Sequence, residues 1–260
     1  MLILIAEAKT MRSVDAQGVV DGKDASRPVF DTIATEIMAG LRDLPIDEIA
    51  GQTGLSPTLA AKLQKMAYDF PFKTAGYESI EAYTGVVFKA LGYDTLSEQA
   101  KADCRKCVRI ISSLYGWLRP DDIIKPYRLD FNTKLEQGPS DAKAMNVFWR
   151  PDVTKALVRY LTDHSCREIL NLLPGDASNA IDWKLVKRFA KVYKADFVEF
   201  KDGDKPRTPS AGILKTMRGR LLRQLLEENV TEARQILRLE SPHYFCEGTP
   251  QYPDHFRFIC

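Results

Sequence analysis

From Ser112 to Leu135 the chain reads SSLYGWLRPDDIIKPYRLDFNTKL. Proline fixes its own φ and pushes the residue before it out of the helical region, so Pro120 and Pro126 forbid one smooth helix here, and Gly116 adds a further break. The stretch has to be a shaped turn. It packs Tyr115, Trp117, Tyr127 and Phe131 beside Arg119, Lys125 and Arg128. A solvated connector has no need of four rings, whereas the wall of a cleft does, because flat rings and planar guanidinium groups suit a flat or anionic ligand. The alternative is that the rings are core and the two arginines pair with Asp121, Asp122 or Asp130.

The rest of the chain alternates short apolar runs with helical periods. Leu2 to Ala6 is a continuous apolar run, read as a buried strand, and Glu7, Lys9 and Thr10 follow at its carboxyl end, where ligands of open α/β sheets gather. Glu7 is expected to pair with Lys9. Residues 11 to 27 read as a loop. Phe30, Ile33, Ala34, Ile37, Met38 and Leu41 give a helix to about Asp43. Ser79 to Tyr83 reads as a strand, Ser97 as the cap of a helix to about Arg105, and Val108 to Ile111 as a strand. A long helix is expected from Ala142 to about His164, anchored by Phe148 and Trp149, and a strand from Ile169 to Leu173. Ile181 to Ala190 looks helical and Val192 to Phe200 reads as a strand. Lys201 to Ser210 reads as a turn and Ala211 to Leu214 as a short strand before a helix opened by Arg218-Gly219. That helix start, with Lys215 and Arg218 nearest it, would be a phosphate site. A hairpin from His243 to Ile259 ends the chain.

Residues 44 to 68 hold two helical segments flanking Gly51 to Gly54, with Ser56 as N-cap and Pro57 at the first helical position. This is close to a helix-hairpin-helix, in which Gly54, Ser56 and Thr58 would clamp a phosphate backbone without reading bases. Gln52 stands where such a motif wants an apolar residue, and an ordinary helix pair with Leu55, Leu59, Leu63 and Met66 inward is the alternative.

The run Leu114 to Pro120, followed by Pro126 to Leu129, resembles the signature of the YaaA family of bacterial peroxide-stress proteins. Met1 to Thr10, Ile80 to Leu91, Phe148-Trp149, Asn171-Leu172 and Arg218-Gly219 match in the same order, so the resemblance spans nearly the whole chain. It implies a single-domain α/β protein over residues 1–260, a mixed twisted sheet flanked by helices with an embedded helix-hairpin-helix-like element, and a basic cleft for nucleic acid. The family usually has Ser-Pro-Ala-Lys-Thr where this chain has Ala6-Glu7-Ala8-Lys9-Thr10. After Asn171-Leu172 it departs again, leaving Asp176 as a candidate in that loop.

Charge is informative only when divided along the chain. The total is 37 Lys and Arg against 35 Asp and Glu, yet Lys184 to Arg223 holds twelve basic and four acidic residues, an excess of eight that leaves minus six elsewhere. Such asymmetry favours an anionic partner at one face. Its alternative is a solvated lysine-rich surface. Five cysteines without a secretory signal argue against a disulfide framework, and Cys104-x-x-Cys107 has no second pair for a zinc site. The chain is expected to be cytoplasmic and monomeric, without membrane span, metal or cofactor.

Two functions follow as expectations. One is a protein binding duplex DNA, and RNA too, through phosphate contacts from Lys9, Arg119, Tyr127, Arg128, Lys215 and Arg218 and the Gly54–Thr58 turn. The other is an enzyme acting on a nucleotide, nucleobase or other small anion at the same residues; a partner-binding adaptor is a third, duller option.

Overall fold

The computed structural model describes residues 1–13, 26–71, 76–200, 205–249 and 253–260. Most of the expected 11–27 loop and the start of the expected 201–210 turn lie outside the described residues.

In chain order, β1 (Leu2–Ala6) is followed by three helices, α1 (Asp31–Arg42), α2 (Ile46–Thr53) and α3 (Pro57–Asp69). Next come β2 (Tyr77–Glu78), the single turn α4 (Ser79–Ala82), α5 (Val86–Leu91) and α6 (Glu98–Cys107). β3 (Val108–Ser112) folds back as β4 (Gly116–Leu118), and β5 (Ile123–Ile124) pairs with β2. α7 (Met145–Asp163) leads into β6 (Glu168–Asn171), and α8 (Gly175–Ser178) and α9 (Trp183–Val186) lead into β7 (Lys191–Phe200). β8 (Pro206–Arg207), α10 (Ala211–Glu227), β9 (Glu240–Ser241), β10 (Tyr244–Gly248) and β11 (His255–Ile259) complete the chain.

The main sheet runs β4-β3-β1-β6-β7-β11-β10-β9, with β8 added to β7. Its centre, β3-β1-β6-β7-β11, is parallel, and its margins are antiparallel. Strands buried on both faces read as largely apolar runs, as Leu2–Ile5 does, and β3 is buried throughout with Arg109 and Ser112 among its apolar residues. β11 instead alternates buried Phe256 and Phe258 with partly exposed neighbours, as a strand with one wet face does. The mixed α/β architecture is that of the sequence reading.

Two expected strands are helical. Ser79 to Tyr83 opens as α4 because its first backbone donors are met by the turn of the central stretch: Ser79 N–H donates to Asp122 O (2.8 Å), and Ile80 N–H to Pro120 O (3.1 Å). Ala211 to Leu214 is the first turn of α10, whose Ser210 hydroxyl accepts from Ile213 N–H. That serine is an N-cap, and it moves the helix start well upstream of Arg218.

The α2–α3 pair forms with Gly54 as a left-handed C-cap and Ser56 as N-cap. α3 buries Ala60, Leu63 and Ala67, and Leu59 faces outward. Small residues at that spacing let α3 pack closely against α1, a demand of packing that leucine counting misses.

Candidate functional site at the carboxyl edge of the parallel strands

The chain leaves β1 for β3 on one side and leaves β6 for β7 on the other. The carboxyl ends of β1 and β6 are therefore a topological switch point, where connections diverge and open α/β sheets bind ligands. Glu7 to Thr10, Ser112-Ser113 and Asn171 to Asp176 end at this edge.

Glu7 is the most constrained group there. Its backbone N–H continues the β1–β3 ladder to Ile111 O (3.0 Å), which turns its carboxyl toward the end of β3. Oε2 accepts from Ser113 N–H at 2.8 Å and from the Tyr127 hydroxyl. Tyr127 OH is also 2.7 Å from Tyr83 OH and 2.7 Å from Ser112 Oγ. Ser112 Oγ accepts Leu114 N–H (3.2 Å) and Tyr115 N–H (3.0 Å), so both its lone pairs are used and its own proton goes to Tyr127. Because Tyr127 donates to Glu7, it accepts from Ser112 and from Tyr83. The donors all run one way.

Burial without a cation, only partly opposed by these hydrogen bonds, pushes the Glu7 carboxyl up to about 7. Burial, and then the nearby Glu7 charge, hold the Tyr127 and Tyr83 phenols above their ordinary range. The residue nonetheless keeps partial exposure. Its second oxygen, Oε1, takes no hydrogen bond among the described residues and is not among their buried unpartnered atoms, so it opens outward. The expected Glu7–Lys9 pair is not made, because Glu7 turns inward while Lys9 reaches Asp130 at 3.3 Å.

Arg218 reaches the same edge from α10. A Cβ on Gly219 would meet Val87 O at 2.3 Å, so α10 sits hard against α5, and Gly85, just before α5, abuts Ala8 in the same way at 2.5 Å. Arg218, next to Gly219 on α10, lies near Asp176, whose charge only partly offsets the burial that lowers its pKa. Asp176 is tied in turn to the central stretch, because Asn146 bonds both Asp176 O (3.4 Å) and Phe131 O (3.0 Å). Arg218 makes no hydrogen bond or ion pair among the described residues. Lys215, one turn earlier on the same helix, is exposed. Arg128 is half-buried, and its one side-chain hydrogen bond among the described residues is to Leu129 O (3.3 Å).

Of the sequence-derived candidates, Tyr127 bonds Glu7 at this edge, Lys9 follows Glu7 and pairs with Asp130, Arg128 adjoins Tyr127, and Arg218 feels the charge of Asp176 after β6. Arg119 is elsewhere. In the β3–β4 register Gly116 faces Ser112 and Leu118 faces Ile110, so Arg119 lies back toward the amino end of β3, where it pairs with Asp121 at 2.7 Å. The four rings of the central stretch are core, each no more than 4% exposed; they shape the edge from behind. Gly54, Ser56 and Thr58 are exposed at the α2–α3 junction. Ser56 is occupied by its cap, Gln52 is bonded to Gln137 (3.1 Å) and Glu136 N–H (3.0 Å), and the acids Asp47, Glu48 and Glu136 surround the pair. Lys215 and Arg218 do not flank a helix start, since α10 begins at Ala211.

A family model described as "Peroxide stress protein YaaA" matches residues 1–248. The chain belongs to the YaaA family. Relatives in that family include a UPF0246 protein of Parabacteroides distasonis, 32% identical over 238 residues, which covers 91% of this chain and 90% of the relative. A UPF0246 protein of Francisella philomiragia is 27% identical over 249 residues and covers 94% of each, and one from Francisella tularensis subsp. novicida is 27% identical over 261 residues. This YaaA-family chain has no helix, among the described residues, long and apolar enough to cross a membrane. Its Cys104 and Cys107 end α6 inside the protein, and burial pushes both thiols up, Cys107 to about 11, away from the thiolate that redox chemistry needs.

Proposed function

We propose that this member of the YaaA family binds nucleic acid, duplex DNA foremost and RNA through the same phosphate contacts, at the carboxyl edge of β1, β3 and β6. The observation behind this reading is Arg218, a partly desolvated guanidinium with no ion pair among the described residues. A partly buried charge that its neighbours only partly compensate costs stability, and an anion that fills the place recovers that cost. Arg128 and the exposed Lys215 add unspent donors. The Lys9–Asp130 pair is part-exposed, worth about 0–1 kcal/mol, so a phosphate readily replaces the carboxylate. Contacts of this kind position a backbone and read few bases.

The test is anisotropy of a labelled 20-bp duplex across salt. Four neutralised phosphates predict that log K falls with log salt at a slope of roughly −3.6. Arg218→Ala should flatten that slope by about one and weaken every sequence alike. A wild-type affinity that ignores salt would remove the mechanism.

The second reading, an enzyme acting on a nucleotide or other small anion, is favoured by one observation: Glu7 is an acid–base group poised near neutrality at a switch point. Release of a new product from a panel of nucleotides, followed by chromatography, separates it from simple binding.

A further inference from the structure

We propose that Glu7 is itself a ligand contact: in its neutral form Oε1–H donates a hydrogen bond to a phosphoryl oxygen held at the carboxyl edge. This rests on the phosphate-binding reading and deepens it. A carboxyl at an edge that receives an anion is a contradiction if it is charged, and a third kind of donor beside ammonium and guanidinium if it is not.

Hydrogen-bond accounting places the proton. Oε2 already accepts from Ser113 N–H and from Tyr127 O–H, whose single proton is spent there. Neutral Glu7 must therefore hold its proton on Oε1, the oxygen that faces outward. The titratable groups around it are Tyr127 from the segment after Pro126, Tyr83 at the end of α4 and Tyr115 beyond them, all phenols that stay neutral at physiological pH. Lys9, two residues along, is engaged by Asp130. No cation pairs with Glu7 among the described residues. Burial already brings the carboxyl to half-protonation near neutral pH, and a phosphate at Oε1 pulls it further toward the neutral form. Binding then takes up about half a proton near pH 7 and approaches one at higher pH.

Two probes separate the sources of such an oxygen: a labelled 20-bp duplex for the phosphodiester backbone, and AMP for a free monoester. Each is titrated from pH 6 to 8.5 against wild type, Glu7→Gln and Tyr127→Phe. Wild-type affinity should fall by up to about tenfold per pH unit above the break near 7. Glu7→Gln, which keeps a donor and cannot ionise, should lose that break and bind about tenfold or more tighter than wild type at pH 8.5. Titration of the probe itself is common to both proteins. Tyr127→Phe removes a bond that favours the charged carboxyl and should move the break to higher pH. A break seen with AMP alone assigns the contact to a monoester, and one seen with the duplex assigns it to the backbone. An unchanged break in Glu7→Gln, a flat wild-type profile, or affinity that rises with pH overturns the contact while leaving phosphate binding intact. Absence of binding of either probe to wild type brings down both readings.

Discussion

At the scale of one residue, Glu7 has a consequence for stability that is independent of any ligand. Its carboxyl titrates near 7 in the folded chain against 4.5 for an ordinary glutamate. A raised carboxyl stabilises the fold fully below the unfolded value and loses that contribution as pH climbs through the folded one. The unfolded chain binds fewer protons between those values, so stability declines with pH there. The gap corresponds to about 3 kcal/mol, an upper figure for a residue that keeps some contact with water. Urea unfolding at pH 5 and pH 8 should show wild type weakening across that interval. Glu7→Gln, which preserves an acceptor for Ser113 N–H and Tyr127 O–H, should be nearly level. Equal slopes for the two proteins would mean that Glu7 is ionised and solvated in the fold.

At the scale of elements, the α10–α5 contact decides whether Arg218 reaches the site. Gly219 is where the two helices approach, with Val87 O 2.3 Å and Ala90 Cβ 2.7 Å from any added Cβ. On an isolated helix Gly→Ala stabilises by about 1 kcal/mol. Here the sign should reverse, because the obstacle is a backbone carbonyl that cannot rotate aside. Gly219→Ala is expected to lose roughly 1–3 kcal/mol, read as a lower urea midpoint. Gly116 plays the matching part in the β3–β4 turn. It adopts φ +66°, and its missing Cβ leaves room for the Trp149 ring at 2.7 Å, while Trp149 Nε1–H donates to Ser113 O at 2.8 Å. That contact fixes the residue whose backbone N–H holds Glu7.

At the scale of the molecule, the two arginines of the central stretch are separated by the fold. Arg119 faces back along β3 and is paired with Asp121, whereas Arg128 follows Tyr127, whose hydroxyl reaches Glu7 at the carboxyl edge. Arg119→Ala should therefore leave duplex affinity within about twofold, in contrast to Arg218→Ala. Equal losses in the same anisotropy assay would place the binding face elsewhere. Family membership and these local breaks were legible from the chain: the buried parallel strands, the Ser56 and Ser97 caps and the broken path around Pro120 and Pro126 all follow from local chemistry. Ser210 was a legible cap too, hidden by the apolar residues after it.

What the sequence determined by itself is the set of elements whose cause lies within a few residues: apolar runs for strands buried on both faces, caps for helix starts, prolines for turns. Tertiary structure decided which polar groups meet. Glu7 pairs across 106 residues with Ser113 and across 120 with Tyr127, and Arg218 is placed by a glycine packing on another helix. Burial and long-range hydrogen bonds set the charge of a carboxyl, and neither is written in the residues beside it.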